Sequence, residues 1–323
     1  MRWPWTAWNL KAVGAPSPRL DGRSRPVPMS TLTPAVCASA SKASKQTNED
    51  AHAHFRGEHL AFVAIADGLG SSPDCHIASG LVIDSIDRYL RRLDRPDASL
   101  SMKDVTELWT TVAATIENFC QGNPRKYPEG SHPLETTLLF AVDLPENYVI
   151  SYVGNGSVWL VRGDYWEFLP RRWPWCIADL LIGHSSFSPQ GREVLYGTLG
   201  SIGLTSAPHT LFISKDQTCG EIIMLTTDGI SSRDHARIGE DANHKLWQEV
   251  DPHIRVILEN DVPPYLRTAL AIGEEQRSVH LQSAIDHFLT PITFDDDATI
   301  GVLVADKVFH YFGQSNEPSK GVS

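Results

Sequence analysis

Residues 60–72 read Leu60-Ala-Phe-Val-Ala-Ile-Ala-Asp67-Gly68-Leu69-Gly70-Ser71-Ser72: seven apolar residues, then a carboxylate, then a Gly/Ser turn. A short apolar run that stops at turn residues is the pattern of a buried strand. A carboxylate at the end of such a strand is costly to desolvate unless something neutralises it, and a divalent cation is the usual partner. The pattern returns at Glu221-Ile-Ile-Met-Leu-Thr-Thr227, which runs into Asp228-Gly229. It appears in reverse where Asp295-Asp296-Asp297 leads into Ala298-Thr-Ile-Gly-Val-Leu-Val304. Asn48-Glu49-Asp50 is a fourth acidic segment. Any one of them alone reads as a polar turn or solvated loop. Four together point to one shared metal centre.

Outward from that strand, residues 1–30 mix Pro, Arg, Ser and Gly without period and read as a flexible tail. A strand is expected near Pro34–Ser39. Amphipathic helices are expected over Asp74–Leu93, with Asp74 as N-cap, and over Lys103–Cys120. Short strands follow at Thr136–Val142, Tyr148–Val153, Ser157–Arg162 and Tyr165–Phe168, and read as an antiparallel meander. Residues 170–207 lack period and read as an irregular loop region. Strands return at Thr210–Ser214 and Glu221–Thr227. A helical pattern over Asn243–Leu289 is interrupted at Pro263-Pro264, and Thr299–Val304 plus an edge strand at Val308–Tyr311 complete the series. Strands, helices, a meander, then helices and a last strand give an α+β layout rather than a βαβ repeat. Two sheets sharing one core with helices outside is the natural architecture.

The 323 residues allow one large domain or two ordinary ones. A net charge of -11 argues against a nucleic-acid binder held by phosphate neutralisation. The five cysteines are scattered and form no C-x-x-C pair, so neither a zinc knuckle nor a disulfide framework is indicated, and a reducing cytoplasm is the simplest setting. No apolar stretch reaches membrane-span length, and the N-terminus lacks the continuous apolar region of a signal peptide.

Taken in order, Asn48-Glu49-Asp50-Ala51, Ala66-Asp67-Gly68-Leu69-Gly70-Ser71, Glu135-Thr136-Thr137, Val153-Gly154-Asn155-Gly156, Thr227-Asp228-Gly229-Ile230 and Asp296-Asp297-Ala298-Thr299 resemble the type 2C, metal-dependent protein serine/threonine phosphatases. Ala-Asp-Gly-Leu-Gly-Ser is closer to the bacterial branch. The resemblance covers most of residues 31–306. It implies a phosphatase domain over 31–312 with a C-terminal tail at 313–323, and a variable flap at about 170–207 that contains Trp173 and Trp175. The implied fold is a four-layer αββα sandwich: two antiparallel sheets around a metal centre, with helices on both outer faces. The implied centre holds two Mg²⁺ or Mn²⁺ ions. In it Asp67 bridges both, the Gly68 carbonyl binds one, and Glu49 supports that ion with Asp50 behind it through water. Asp228 and Asp296 hold the other. The implied reaction is hydrolysis of phosphoserine or phosphothreonine on proteins by a metal-activated water. The implied partners are a phosphoprotein substrate and a Ser/Thr kinase of the same pathway, with no nucleic acid and no membrane.

Three positions depart from the family pattern. Lys45 stands where an arginine usually grips the substrate phosphate; it keeps the charge and loses the bidentate fork, and a small shift in alignment would place Lys42 there instead. Leu69 cannot serve as a general acid. Asn155 replaces an aspartate that often supplies a third-metal ligand, so a stable third metal site is not expected. Lys45 and Asn155 motivate an alternative, a pseudophosphatase that binds a phosphoprotein or partner without turnover. A phosphatase for a small phosphorylated metabolite is a further alternative. His52-x-His54 has zinc-like spacing but no third ligand in sequence, which favours a surface or packing role. No Gly-x-Ser-x-Gly elbow accompanies Ser231 and Ser232, so a serine hydrolase is not indicated.

Overall fold

The computed structural model describes residues 33–70, 74–128, 134–162, 176–187, 193–216, 219–240, 244 and 246–315. In chain order the elements are β1 (Val36–Lys42), β2 (Asp50–Arg56), β3 (Ala61–Asp67), α1 (Cys75–Arg91), α2 (Met102–Gly122), β4 (Glu135–Thr136), β5 (Leu138–Asp143), β6 (Asn147–Val153) and β7 (Ser157–Arg162). Then come β8 (Cys176–Asp179), β9 (Ser185–Phe187), β10 (Glu193–Leu195), β11 (Leu199–Gly200), β12 (Gly203–Leu204), β13 (His209–Ser214) and β14 (Glu221–Thr226). The last stretch holds α3 (Asp228–Ser231), β15 (His235–Glu240), β16 (Leu246–Asp251), α4 (His253–Val256), a π-helical turn (Ile257–Asp261), α5 (Val262–Ala271), α6 (Glu274–Leu289), β17 (Ala298–Val304) and α7 (Asp306–Ser315).

Two five-stranded antiparallel sheets form the centre. Their strand orders are β1-β17-β14-β7-β8 and β13-β6-β5-β3-β2. Alternation along each strand assigns its two faces. On β3, Phe62, Ala64 and Ala66 pack with Ala78, Val82 and Ile86 of α1 and Leu108 and Val112 of α2. The intervening Ala61, Val63 and Ile65 meet Ile223, Leu225 and Leu303 of the other sheet. On β14, Ile222 and Met224 face the opposite helical layer, with Tyr265, Leu281, Ile285 and Phe288. Both faces of these strands are covered, which is why they read as unbroken apolar runs. The layers are helix, sheet, sheet, helix, as the family resemblance implies. The sheets pack tightly at Gly301, where a Cβ would stand 3.2 Å from the Val63 side chain.

Several local expectations need correction. The supposed meander divides: β5 and β6 pair in one sheet, while β7 crosses to pair with β14 and β8 in the other. Periodicity identifies strands but does not say which sheet receives them. Residues 170–207 hold β8, a β9–β10 hairpin, and β11 and β12, two-residue strands whose length carries no period. Val308–Tyr311 belongs to α7 rather than to an edge strand. The strand before it, β17, is already paired by β1 on one side and β14 on the other, so Val308–Tyr311 cannot fold back onto it as a hairpin. The helical region starts at His253, because Leu246–Asp251 pairs with His235–Glu240. Pro263 and Pro264 sit in the first turn of α5, where a missing N–H costs nothing, and the irregularity is the π-helical turn before them. Asp74 stands at the N-cap of α1 with φ 66° and makes no capping bond. Its carboxylate accepts from Tyr127 Oη (3.0 Å) and pairs with Lys126 Nζ (2.7 Å). Tyr165–Phe168, Trp173, Trp175 and the 1–30 tail lie outside the described residues. Among the described residues no helix is long and apolar enough to cross a membrane.

His52 and His54 both point their Nδ1 atoms at Ser39 Oγ of β1 (2.8 and 2.9 Å), joining the edges of the two sheets. This is the packing role. Burial first, then the nearby Arg91 guanidinium, lowers the His54 pKa, with Asp87 opposing. A histidine depressed in the fold takes up its proton more readily when unfolded, so it removes stability as pH falls below its unfolded value of about 6.5. His54→Gln should therefore lose less stability than wild type between pH 7.5 and 5.5. Urea midpoints at the two pH values measure this, and equal losses would refute it.

Candidate metal centre

The register of β2 and β3 sets the site. Asp50 and Asp67 are Cα partners at one end of that ladder, directly opposite each other. Like charges placed so are destabilising in a sheet unless neutralised. Asp50 Oδ2 reaches across to the other sheet, accepting from Thr227 Oγ1 (2.9 Å) and Thr299 Oγ1 (2.6 Å). Thr299 N donates to Thr227 Oγ1 (2.9 Å), so the ends of β14 and β17 are tied together around this carboxylate. Asp50 Oδ1 is buried with no donor. Burial raises the Asp50 pKa against the threonine hydrogen bonds. Burial raises Asp67 well above the carboxylate range too, followed by the charges of Asp50 and Asp228, and Asp296 adds to them.

Backbone contacts hold Asp67 and Gly68 in place. Asp67 N donates to Thr137 Oγ1 (3.0 Å), and the Asp67 carbonyl accepts from Thr137 N (2.8 Å) and Thr136 Oγ1 (2.8 Å). Gly68 N donates to the Glu49 carbonyl (3.1 Å), which also accepts from Ser79 Oγ (2.6 Å). A Cβ on Gly68 would lie 2.6 Å from the Cys75 carbonyl oxygen and 2.9 Å from that of Glu49. Only glycine passes between these two backbones.

Asp228 begins α3 and accepts from Asn155 Nδ2 (2.7 Å). Asn155 therefore holds Asp228 from the side rather than adding a carboxylate. Lys45 Nζ bridges Glu49 Oε2 (2.6 Å) and Asp296 Oδ1 (3.0 Å). Partial burial opposes its charge, but the two carboxylates outweigh that and raise its pKa. Lys42 is placed elsewhere: its ammonium donates to the carbonyls of Leu289 (3.1 Å), Thr290 (2.6 Å) and Ile292 at the C-terminal end of α6. Of the two lysines, Lys45 is the one that lies against the acidic residues. One oxygen each of Glu49, Asp296 and Asp297 lies within 4.8 Å of the others.

The tertiary arrangement thus brings Lys45, Glu49, Asp50, Asp67, Gly68, Asp228 and Asp296 to one end of the sandwich. Sequence reasoning gave no role to Thr136, Thr137, Thr227, Thr299 or Asp297. All five sit inside the motifs that carry the family resemblance, so their presence was visible and their hydrogen-bonding was not. The donor set is carboxylate and carbonyl oxygen, which suits Mg²⁺ or Mn²⁺ better than Zn²⁺. The orphaned Asp50 oxygen and the mutual repulsion at Asp67 fit a cation held among these residues.

Residues 39–169 match the family model of protein phosphatase 2C, a span that carries Lys45, Glu49, Asp50, Asp67 and Gly68 and less than half of the chain. The match marks similarity to protein phosphatase 2C over that span. Beyond it, the segments flanking β14 and β17 bring Asp228 and Asp296 to the same end. Solved structures share the type 2C architecture at low identity. A bacterial serine phosphatase is 13% identical with a TM-score of 0.52, over 84% of this chain and 98% of that one. The serine/threonine phosphatase Stp1 from Staphylococcus aureus is 15% identical with a TM-score of 0.51, over 84% and 94%. PppA of Pseudomonas aeruginosa is 18% identical with a TM-score of 0.50, over 85% and 99%. Comparison with curated protein sequences returns no match.

Proposed function

We propose that the protein is a Mg²⁺- or Mn²⁺-dependent phosphatase acting on phosphoserine or phosphothreonine in proteins. One observation carries this reading. Asp50 and Asp67 face each other at the end of β2 and β3, within the field of Asp228 and Asp296 from the opposing sheet. A fold has no reason to gather these carboxylates except to hold cations.

Asp67, the Gly68 carbonyl and Glu49 would hold one ion, with Asp50 behind them; Asp67, Asp228 and Asp296 would hold the second. Two such ions, when bound, neutralise phosphoryl oxygens and acidify a water for in-line attack. The chain's own residues orient this set. Thr227 and Thr299 fix Asp50, Asn155 fixes Asp228, and Thr136 and Thr137 fix the backbone at Asp67. Lys45, half-exposed beside Glu49 and Asp296, would meet a phosphate there. As an ammonium it contributes a point charge, without the two parallel bonds of a guanidinium. Leu69 offers no proton, so the leaving alkoxide takes its proton from water or from another acid. Two ions without a stable third follow from Asn155. A kinase of the same pathway as the opposing activity, and the cytoplasm as the setting, complete the reading; the buried thiols Cys37, Cys75, Cys120 and Cys219 are compatible with a reducing compartment.

The test is hydrolysis of a phosphothreonine peptide with Mn²⁺, with EDTA, and by Asp228→Asn. Turnover should require the metal and fall more than about 100-fold in the variant, beyond what loss of an outer-shell partner costs. Thermal stabilisation by Mn²⁺ without any hydrolysis would replace this reading with the pseudophosphatase. Hydrolysis of small phosphate esters in preference to the peptide would replace it with a metabolite phosphatase.

A further inference from the structure

Asp297 stands among the acidic oxygens of the site, yet its surroundings differ from those of its neighbour. It is 2% exposed, whereas the Asp296 side chain is about half exposed. Asp297 Oδ1 accepts from Ser44 N (2.6 Å), Ser44 Oγ (3.1 Å) and Lys45 N (3.3 Å), and Oδ2 accepts from Glu49 N (2.7 Å). A carboxylate has about four lone-pair positions, and these donors crowd Oδ1 and take one position on Oδ2. The donors are the two ends of one loop, residues 44–49, which carries both Lys45 and Glu49.

The anchor itself is rigid. Asp297 N donates to Asp296 Oδ1 (2.8 Å), and α3 packs on the Asp297 backbone so closely that a Cβ on Gly229 would fall 1.9 Å from the Asp297 carbonyl oxygen. The loop is thus tied to the same dipeptide that supplies Asp296.

We propose that Asp297 is a positioning residue, clamping both ends of the 44–49 loop so that Lys45 and Glu49 stand at fixed places relative to Asp296, and that it is not itself an ion ligand. What the loop does for catalysis rests on the phosphatase reading; the clamp does not. Four donors to one buried carboxylate would otherwise have to find other acceptors, and charge-assisted bonds of this kind are about twice as strong as neutral ones. An asparagine keeps one acceptor oxygen and turns an NH₂ toward donors, so one end of the loop must let go.

The experiment is amide hydrogen exchange on the full chain in EDTA, for wild type and Asp297→Asn. The wild-type amides of Ser44 and Glu49 should be protected although they lie in an irregular loop. The variant should lose at least about tenfold of that protection, with Ile300 and Val302 of β17 unchanged. Unprotected Ser44 and Glu49 amides in wild type would overturn the clamp, and that measurement stands even if the variant fails to fold. The second arm uses a phosphothreonine peptide at saturating Mn²⁺. Asp297→Asn should raise KM about 10- to 100-fold with kcat within about threefold, and should add less than about twofold in a Lys45→Met background. Loss of Mn²⁺-induced thermal stabilisation as complete as in Asp296→Asn would instead make Asp297 a ligand and overturn the proposal. Absence of turnover in wild type would count against the phosphatase reading alone, because exchange and Mn²⁺ stabilisation report on the clamp without it.

Discussion

Asp67→Asn should lower turnover of a phosphothreonine peptide by at least about 10³-fold, about 4 kcal/mol of barrier, while the protein stays folded. The amide has nearly the shape of the carboxylate and leaves the strand bonds of β3 intact, since those use the Asp67 backbone. What changes is charge. Burial, then the carboxylates of Asp50 and Asp228, already raise the Asp67 pKa, so ionisation there is costly without a cation. Neutralising it relieves that cost, and in EDTA the variant should melt at or above wild type. In Mn²⁺ the order should reverse, because wild type gains binding free energy that the variant lacks. Activity close to wild type would remove Asp67 from the proposed mechanism. A variant that melts far below wild type in EDTA would show that the carboxylate serves the fold rather than a cation.

The largest expected effect on stability lies at the other end of the sandwich. Asp143 closes β5 opposite Ala61, at the far end of the ladder from Asp67. It is almost wholly buried and pairs with Lys215 Nζ at 2.6 Å, itself only 11% exposed. Its second oxygen accepts from Ala35 N (2.7 Å), just before β1 of the opposing sheet. The Lys215 ammonium also lies 5.3 Å from the Tyr148 ring centroid. Lys215→Met keeps the aliphatic bulk and removes the charge, leaving a buried carboxylate without its counter-ion. The expected loss is about 3–5 kcal/mol by urea unfolding. Asp143→Asn in the same chain should recover part of it, because the pair matters more than either member. The centre at Asp67 is at the opposite end, so turnover well below the melting transition should stay within about twofold. A loss under about 1 kcal/mol would mean that water reaches Asp143 and that the pair behaves as a surface one.

The sequence was informative where one rule acts locally. Leu60–Ala66, Glu221–Thr227 and Thr299–Val304 read as buried strands because both faces are covered, so apolar residues follow one another along them without alternation. The helices α1 and α2 announce themselves by one apolar face in 3.6-residue period. The four acidic segments could be singled out, since desolvating carboxylates beside apolar strands is costly unless cations neutralise them. The individual residues Lys45, Glu49, Asp50, Asp67, Gly68, Asp228 and Asp296 came from the family resemblance. Local rules failed where the outcome depends on distant partners. Whether β7 continues a meander or crosses to the second sheet depends on which strand has a free edge, and residues 157–162 carry no record of that. Val308–Tyr311 became helical because β1 and β14 had already taken both sides of β17.

The site divides in the same way. Sequence alone determined which side chains bear charge and that they end buried strands, because burial writes itself into composition residue by residue. Only the tertiary structure decided that Lys45 and not Lys42 reaches the carboxylates, that Asn155 braces Asp228, and that Asp297, one residue from Asp296, is bound by the donors of a loop about 250 positions away in the chain. Hydrogen-bond partners so far apart are chosen by the packing of two sheets, and the pairing leaves no period, spacing or composition in either segment from which to read it.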